Sequence, residues 1–256
     1  MNIRPPPEFD IALHLLDGMS LVHRPTFLGM DRIPEERPLL FVGNHTLLGF
    51  LDIPLFFREL WREKGIFLNA LGDRVHFQIP GWGHVLRRYG AVEGSPANCA
   101  ELFRKGATVL VFPGGAREVC KHRDEVHQLV WGNRSGFARM ATQHDVTIVP
   151  FAMVGVEDAL DIVLDEEEYA TSVLGSALDR LGIRRDLRTP IVRGVGPLPL
   201  PRPERYDYQV MQALRPADFA SEKDPIWALR EATRAQIEAG IASLQEIRAL
   251  RTPARR

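Results

Sequence analysis

Two short stretches carry residues whose types and spacing could do chemistry. The first is Phe41-Val42-Gly43-Asn44-His45-Thr46-Leu47-Leu48-Gly49-Phe50-Leu51-Asp52. A histidine placed just past a buried strand sits where open α/β sheets put their chemistry. A carboxylate follows at Asp52, and a carboxylate-oriented imidazole is a general base able to take a proton from a hydroxyl. The seven-residue offset is close to two helical turns. A coiled segment would therefore put His45 and Asp52 on one face, and a folded-back loop would bring them closer. The same string also reads as a histidine that caps a turn and bonds to backbone. The second stretch is Pro113-Gly114-Gly115-Ala116-Arg117-Glu118. Two glycines after a strand let the backbone turn with positive φ and present its N–H groups, a geometry that can hold an oxyanion or a phosphate. Arg117 adds a planar fork suited to phosphate or carboxylate. The plain alternative is a strand-to-loop turn with a surface Arg117 paired to Glu118.

Other chemistries lack their residues. No Gly-Lys-Ser/Thr follows the glycines, so this is not a Walker loop. No G-x-S-x-G occurs, and Ser95 in Gly94-Ser95-Pro96 suits a helix cap better than a nucleophile. Gly81-x-Gly83 has Leu86 where a dinucleotide fingerprint needs its third glycine. There is no H-E-x-x-H, and His122 and His127 have poor ligand spacing. We expect no catalytic metal and no cofactor.

Bulk properties narrow the class further. The 32 basic and 33 acidic residues leave a net charge of −1, too little field to attract nucleic acid. Cys99 and Cys120 form no CxxC pair and no signal peptide precedes them, which reads as two reduced thiols in a cytoplasmic protein. No run approaches the roughly 18 apolar residues of a spanning helix, so membrane contact would be peripheral.

These residues need a scaffold to hold them. Leu39–Val42, Ile66–Leu71, Ala107–Phe112 and Val146–Phe151 read as buried strands, the last ending at Pro150. Phe9–Val22, Ile53–Lys64, Asn98–Lys105 and Ser135–Gln143 read as helices. Glu157–Tyr169 reads as a solvated acidic helix or lid face, and Ile183–Arg188 as a basic stretch. Four prolines between Pro197 and Pro203 predict an extended connector. Asp224-Pro225 opens a final helix that ends in Arg248, Arg251, Arg255 and Arg256. Its apolar face would pack on the core and leave the arginines outward, to attract an anionic bilayer. Alternating strands and helices predict a single α/β domain with a mostly parallel central sheet flanked by helices. Within it, residues 1–36 form a helical lead, 37–200 the α/β core, and 201–256 the connector and last helix.

Taken in order, Gly43-Asn44-His45-Thr46, Ile79-Pro80-Gly81-Trp82-Gly83 with Arg88-Tyr89-Gly90-Ala91-Val92, Val111 to Glu118, and Ile148-Val149-Pro150-Phe151 resemble the glycerolipid (lysophospholipid) acyltransferase superfamily. The Pro-Gly-Gly-x-Arg-Glu string and Trp131 to Met140 look more like its diacylglycerol acyltransferase and phytyl ester synthase branch. The resemblance covers about residues 38 to 155. It implies a glycerol-phosphate-acyltransferase-like fold and transfer of a fatty acyl group from acyl-CoA or acyl carrier protein to a lipid or alcohol hydroxyl. It implies His45 as general base with Asp52 as its orienter, although six residues intervene where the superfamily has four. It places Asn44, Gly114, Gly115, Arg117, Glu118 and Arg134 on the substrate side. Gly114 stands where the main branch, with Glu-Gly-Thr-Arg, has its glutamate, which favours a neutral alcohol over a glycerol phosphate. A lysophosphatidate-type acyltransferase, or a lipid-binding protein without turnover, are the alternatives.

Overall fold

All five residues of Leu39–Gly43 are buried, because this strand lies between two parallel neighbours with a core on each face. The structure is a computed structural model and describes residues 1–170, 172–182 and 188–251. Its strands are β1 (Thr26–Leu28), β2 (Leu39–Gly43), β3 (Leu68–Gly72), β4 (Val92–Glu93), β5 (Thr108–Val111), β6 (Thr147–Val154), β7 (Asp161–Leu164), β8 (Ile191–Arg193) and β9 (Asp207–Val210). Among the described residues seven of them form one sheet in the order β1-β9-β6-β2-β5-β3-β4, and β7 and β8 pair separately as an antiparallel ribbon. The block from β6 to β4 is parallel, and β9 joins β6 antiparallel.

Side-chain alternation divides the apolar strands between two cores. Leu40, Val42, Val109, Ile148 and Ala152 face one way, toward Leu229, Ile237, Ile241 and Leu244 of the last helix, Pro225–Arg251. Gly240 lets that helix close on β6, since a Cβ there would meet Met211 and Ala152 at about 3 Å. Leu39, Phe41, Leu110, Val149 and Phe151 face the other way, onto Leu55, Phe56 and Leu60 of the helix Ile53–Lys64. The lead docks on this second helix: Asp17 accepts from Arg58 at 2.7 Å, Asp10 accepts from Trp61 Nε1 at 2.8 Å, and Phe9 packs edge-on against Trp61.

The structure departs from the sequence expectations at several places, beginning with β1 and β9, sheet strands that lie in the expected helical lead and in the expected connector. The lead is two short helices, Phe9–Leu15 and Asp17–His23, which meet at Leu16. β6 continues past Pro150 to Val154, because the Pro150 carbonyl still accepts from Met211 N–H at 2.9 Å. The acidic stretch is not simply a solvated face: it contains β7, and Glu157 is buried against Lys121 Nζ at 2.5 Å. Arg248 and Arg251 of the last helix do not project freely into solvent. Arg248 bridges Asp158, Asp207 and Glu204 at 3.0, 3.0 and 3.4 Å, and Arg251 meets Asp207 at 2.7 Å. Buried Asp207 at the start of β9 needs counter-charge, and one helix face supplies it. Arg255, Arg256 and residues 183–187 of the basic stretch lie outside the described residues.

These pairs join a larger buried network. His127, held at a left-handed φ of 62°, meets Glu157 at 3.0 Å and Asp158 at 3.1 Å. Burial opposes charge on His127, yet Asp158 and Glu157 outweigh it and lift the imidazole from 6.5 to about 9. A folded pKa above the unfolded one gives stability that is complete below about pH 6.5 and is lost as pH rises through about 9. Urea unfolding of the wild type and His127→Gln will show this: the stability gap is widest near about pH 6 and narrows toward about pH 10.

Candidate active site

The site begins where β2 leaves the sheet. β2 pairs with β6 as far as Gly43 opposite Phe151. A Cβ on Gly43 would lie 2.5 Å from the Phe151 ring, so glycine is needed there for the ring to cross the strand end. Asn44 then continues the ladder with its side chain. Its Oδ1 accepts from Met153 N–H and its Nδ2 donates to Met153 C=O, both at 2.8 Å. The buried peptide groups of β6 are thus satisfied although the neighbouring backbone has turned away. Asn44 was placed on the substrate side by resemblance; in the structure both polar ends of its side chain are engaged by backbone.

His45 follows, the second residue past β2. Its N–H donates to Glu118 Oε2 at 3.1 Å, and its ring stacks on Phe112 at 4.2 Å. Burial pushes the imidazole down to about 3, helped by the positive charge of Lys121 and by His76, so the ring is neutral near pH 7. Its Nδ1 is buried and without a hydrogen-bond partner.

Residues 46–52 form the folded-back loop, not the coiled alternative. Leu48 and Gly49 take φ of 63° and 65°, and Leu48 N–H donates to Val119 C=O at 3.2 Å. Gly49 lies flat against the imidazole: a Cβ there would sit 2.3 Å from His45 Cε1 and 2.9 Å from Nδ1. The loop ends at buried Asp52, which caps the helix Ile53–Lys64 by position. Thr46 Oγ1 donates to Asp52 Oδ1 at 3.1 Å, and Tyr208 OH donates to the Asp52 carbonyl at 2.8 Å. Burial raises the Asp52 carboxyl to about 6 against the pull of Thr46. Its Oδ2 is buried and unpartnered. No hydrogen bond joins Asp52 to His45 among the described residues; each carries one unpaired buried atom on the same loop.

The second stretch follows β5, the other neighbour of β2, which brings it to the same end of the sheet. Gly115 turns at a φ of 52°, and its N–H donates to Phe112 C=O at 3.0 Å. Arg134 Nη1 donates to Pro113 C=O at 3.0 Å and also to Gly114 C=O, so it fixes the turn from outside. The expected Arg117–Glu118 pair does not form, because neighbouring helical side chains point apart. Arg117 Nη2 pairs with Glu125 at 2.6 Å, while its Nη1 is buried without a partner. Glu118 points inward and is fully buried. Its Oε2 accepts from His45 N–H and its Oε1 from Val130 N–H at 3.3 Å, and burial raises it to about 7 although Lys121 pulls the other way. Lys121 is the residue that sequence reasoning missed. Its place one turn beyond Glu118 was the available signal; its ion pair with Glu157, 36 positions on, was not legible.

The chain belongs to the Acyltransferase family, whose model matches residues 24–154. Among its relatives, it is 35% identical over 137 residues to a DGAT1/2-independent enzyme synthesizing storage lipids of Bos taurus, covering 53% of this chain and 40% of that protein. It is 34% identical over 167 residues to the chloroplastic phytyl ester synthase 2 of Arabidopsis thaliana, covering 60% of this chain and 24% of that one. The match therefore spans less than half the length of either relative. In fold it is similar to the 1-acyl-sn-glycerophosphate acyltransferase PlsC of Thermotoga maritima, with a TM-score of 0.54 and 16% identity over 94% of this chain and 84% of that one.

The contact of Gly49 with the imidazole gives a direct expectation. Gly49→Ala displaces the His45 ring and strains a left-handed residue, so it costs roughly 2–4 kcal/mol of stability and lowers by at least about tenfold any turnover that depends on His45. Steady-state kinetics and urea unfolding of the one variant measure both.

Proposed function

We propose that this protein transfers a fatty acyl group from a thioester, acyl-CoA or acyl carrier protein, to the hydroxyl of a lipid or long-chain alcohol. The observation that carries this reading is His45 itself. It is a neutral imidazole, anchored through its own N–H and its ring face, at the end of a central parallel strand, with Nδ1 unpaired. A hydroxyl holds its proton far above neutral pH and needs a base as it attacks. In this reading His45 takes that proton while the alcohol oxygen bonds to the thioester carbonyl. The carbon–sulfur bond then breaks, and the thiolate recovers the proton from the imidazolium. No acyl-enzyme is required.

Asp52 is the orienter in this mechanism. Its unpaired Oδ2 and the unpaired Nδ1 of His45 are the two atoms that a His–carboxylate dyad would join. A carboxylate on Nδ1 would raise the basicity that burial takes away. The buried, unpartnered Nη1 of Arg117 is a donor for an anionic part of either substrate or for the developing oxyanion. The same free donor favours a second reading, a phosphate-bearing acceptor of the lysophosphatidate type. Glycine at 114 and the likeness to phytyl ester and storage-lipid enzymes favour the neutral alcohol. Bilayer contact belongs to this reading as well. No described helix is long and apolar enough to cross a membrane, but Ile11, Leu15, Leu21 and Val22 of the lead are exposed apolar groups. With Arg248 and Arg251 engaged by Asp207, these apolar groups are the described surface for peripheral attachment.

The test is labelled acyl-CoA offered with a panel of alcohols, with lipid product analysis. His45→Ala lowers turnover by about a hundredfold to ten-thousandfold without loss of fold. Asp52→Asn lowers it by less. A folded His45→Ala protein with normal turnover would falsify the base assignment, and CoA release independent of added alcohol would mark a hydrolase. Arg117→Lys keeps the charge but loses the planar fork, so it raises the KM of the substrate that Arg117 holds by roughly tenfold. An unchanged KM for both substrates would show that Arg117 serves only its pair with Glu125.

A further inference from the structure

Glu118 does something in this structure that its place in the sequence motif does not suggest. Gly114 has an ordinary helical φ of −67°, so its backbone does not require glycine. Space does. A Cβ on Gly114 would lie 2.3 Å from Glu118 Oε2, 2.5 Å from Glu118 Cβ and 2.6 Å from Glu118 Cδ. The glutamate, one helical turn later, folds back into the volume a side chain at 114 would fill. From there its two oxygens take the N–H groups of His45 and Val130, which belong to segments far apart in sequence.

We propose that Glu118 is a positioning residue for His45: its carboxylate, folded over Gly114, fixes the peptide at which the chain leaves the sheet and ties it to the segment at Val130. A side chain at 114 and the Glu118 carboxylate compete for one volume. The role rests on the acyl-transfer reading only for its kinetic consequence, since the clamp is a property of the fold. A neutral amide cannot replace it, because only one end of a glutamine accepts a hydrogen bond and two backbone donors converge there. The charged groups that face this carboxylate are Lys121, which favours its ionised form, and Glu157, which opposes it. With burial they place its titration near 7, within the range where it can be followed.

The experiment is amide NMR of the folded wild type and of Glu118→Gln across that pH range, beside kinetics of the same proteins. The His45 and Val130 amide protons of the wild type move together with a midpoint near 7, and both responses vanish in Glu118→Gln. Acyl transfer by Glu118→Gln loses about tenfold or more in kcat, with KM for the acceptor within about twofold. Moving the acid, as Gly114→Glu combined with Glu118→Gly, restores kcat relative to Glu118→Gly alone. Wild-type His45 and Val130 amides with the shifts and temperature coefficients of unbonded N–H groups overturn the clamp even if Glu118→Gln does not fold. A raised KM with unchanged kcat overturns it too, and assigns the carboxylate to substrate. A relocated acid that restores nothing overturns the shared space. If the wild type acylates no alcohol, the functional reading fails, and the amide NMR still decides the clamp.

Discussion

A buried strand can leave a sheet only if the peptide groups it abandons find other partners, and this constraint shapes the whole site. β2 is covered on both faces, so its exit could not be left to water. Asn44 resolves the problem by returning a side-chain amide to Met153 in place of a backbone peptide. That frees the main chain to turn at His45 while β6 continues as a regular strand to Val154. The new orphan, the N–H of His45, is taken by Glu118. The base candidate is thus held by the backbone on either side of its ring, with Phe112 beneath. Each contact limits its neighbour: glycine at 43 admits the Phe151 ring, glycine at 49 admits the imidazole, and glycine at 114 admits the carboxylate.

Electrostatics follow from the same burial. An imidazole enclosed in this way, beside a buried lysine, stays neutral and keeps a lone pair for a proton. Two carboxyls nearby, Asp52 and Glu118, are raised toward neutrality by the same loss of water. Lys121 would be costly to bury alone, and Glu157 is its counter-ion. Glu157 is shared with His127, and through Asp158, Arg248 and Asp207 the network reaches the last helix. Arg248 and Arg251 therefore act as counter-charges to buried Asp207. A stretch of basic residues at the end of a helix looks like an invitation to an anionic surface until their partners are known.

Membership of the Acyltransferase family and the likeness in fold to PlsC agree with the mostly parallel sheet, which brings both candidate stretches to one end of neighbouring strands. What distinguishes this chain is local. The loop between His45 and Asp52 folds back through two left-handed residues at 48 and 49. The acid of the Gly-rich stretch, Glu118, folds back over Gly114.

The sequence by itself determined a good deal. Continuous apolar runs and their turn residues marked β2, β3, β5 and β6, and the helix Ile53–Lys64 has the bounds its pattern predicts. Short or polar strands such as β1, β4, β8 and β9 were not legible, because they form by pairing with neighbours and not by their own pattern. The order of motifs marked His45, Asp52 and the segment around Arg117, since residue type and local order are written in the chain. Direction and partnership were not. Only the tertiary structure turned Glu118 inward and Arg117 to Glu125, engaged Asn44 with Met153, and paired Lys121 with Glu157. Those choices depend on which strands lie side by side, and on the burial that makes each polar group find a partner. No spacing along the chain encodes either one.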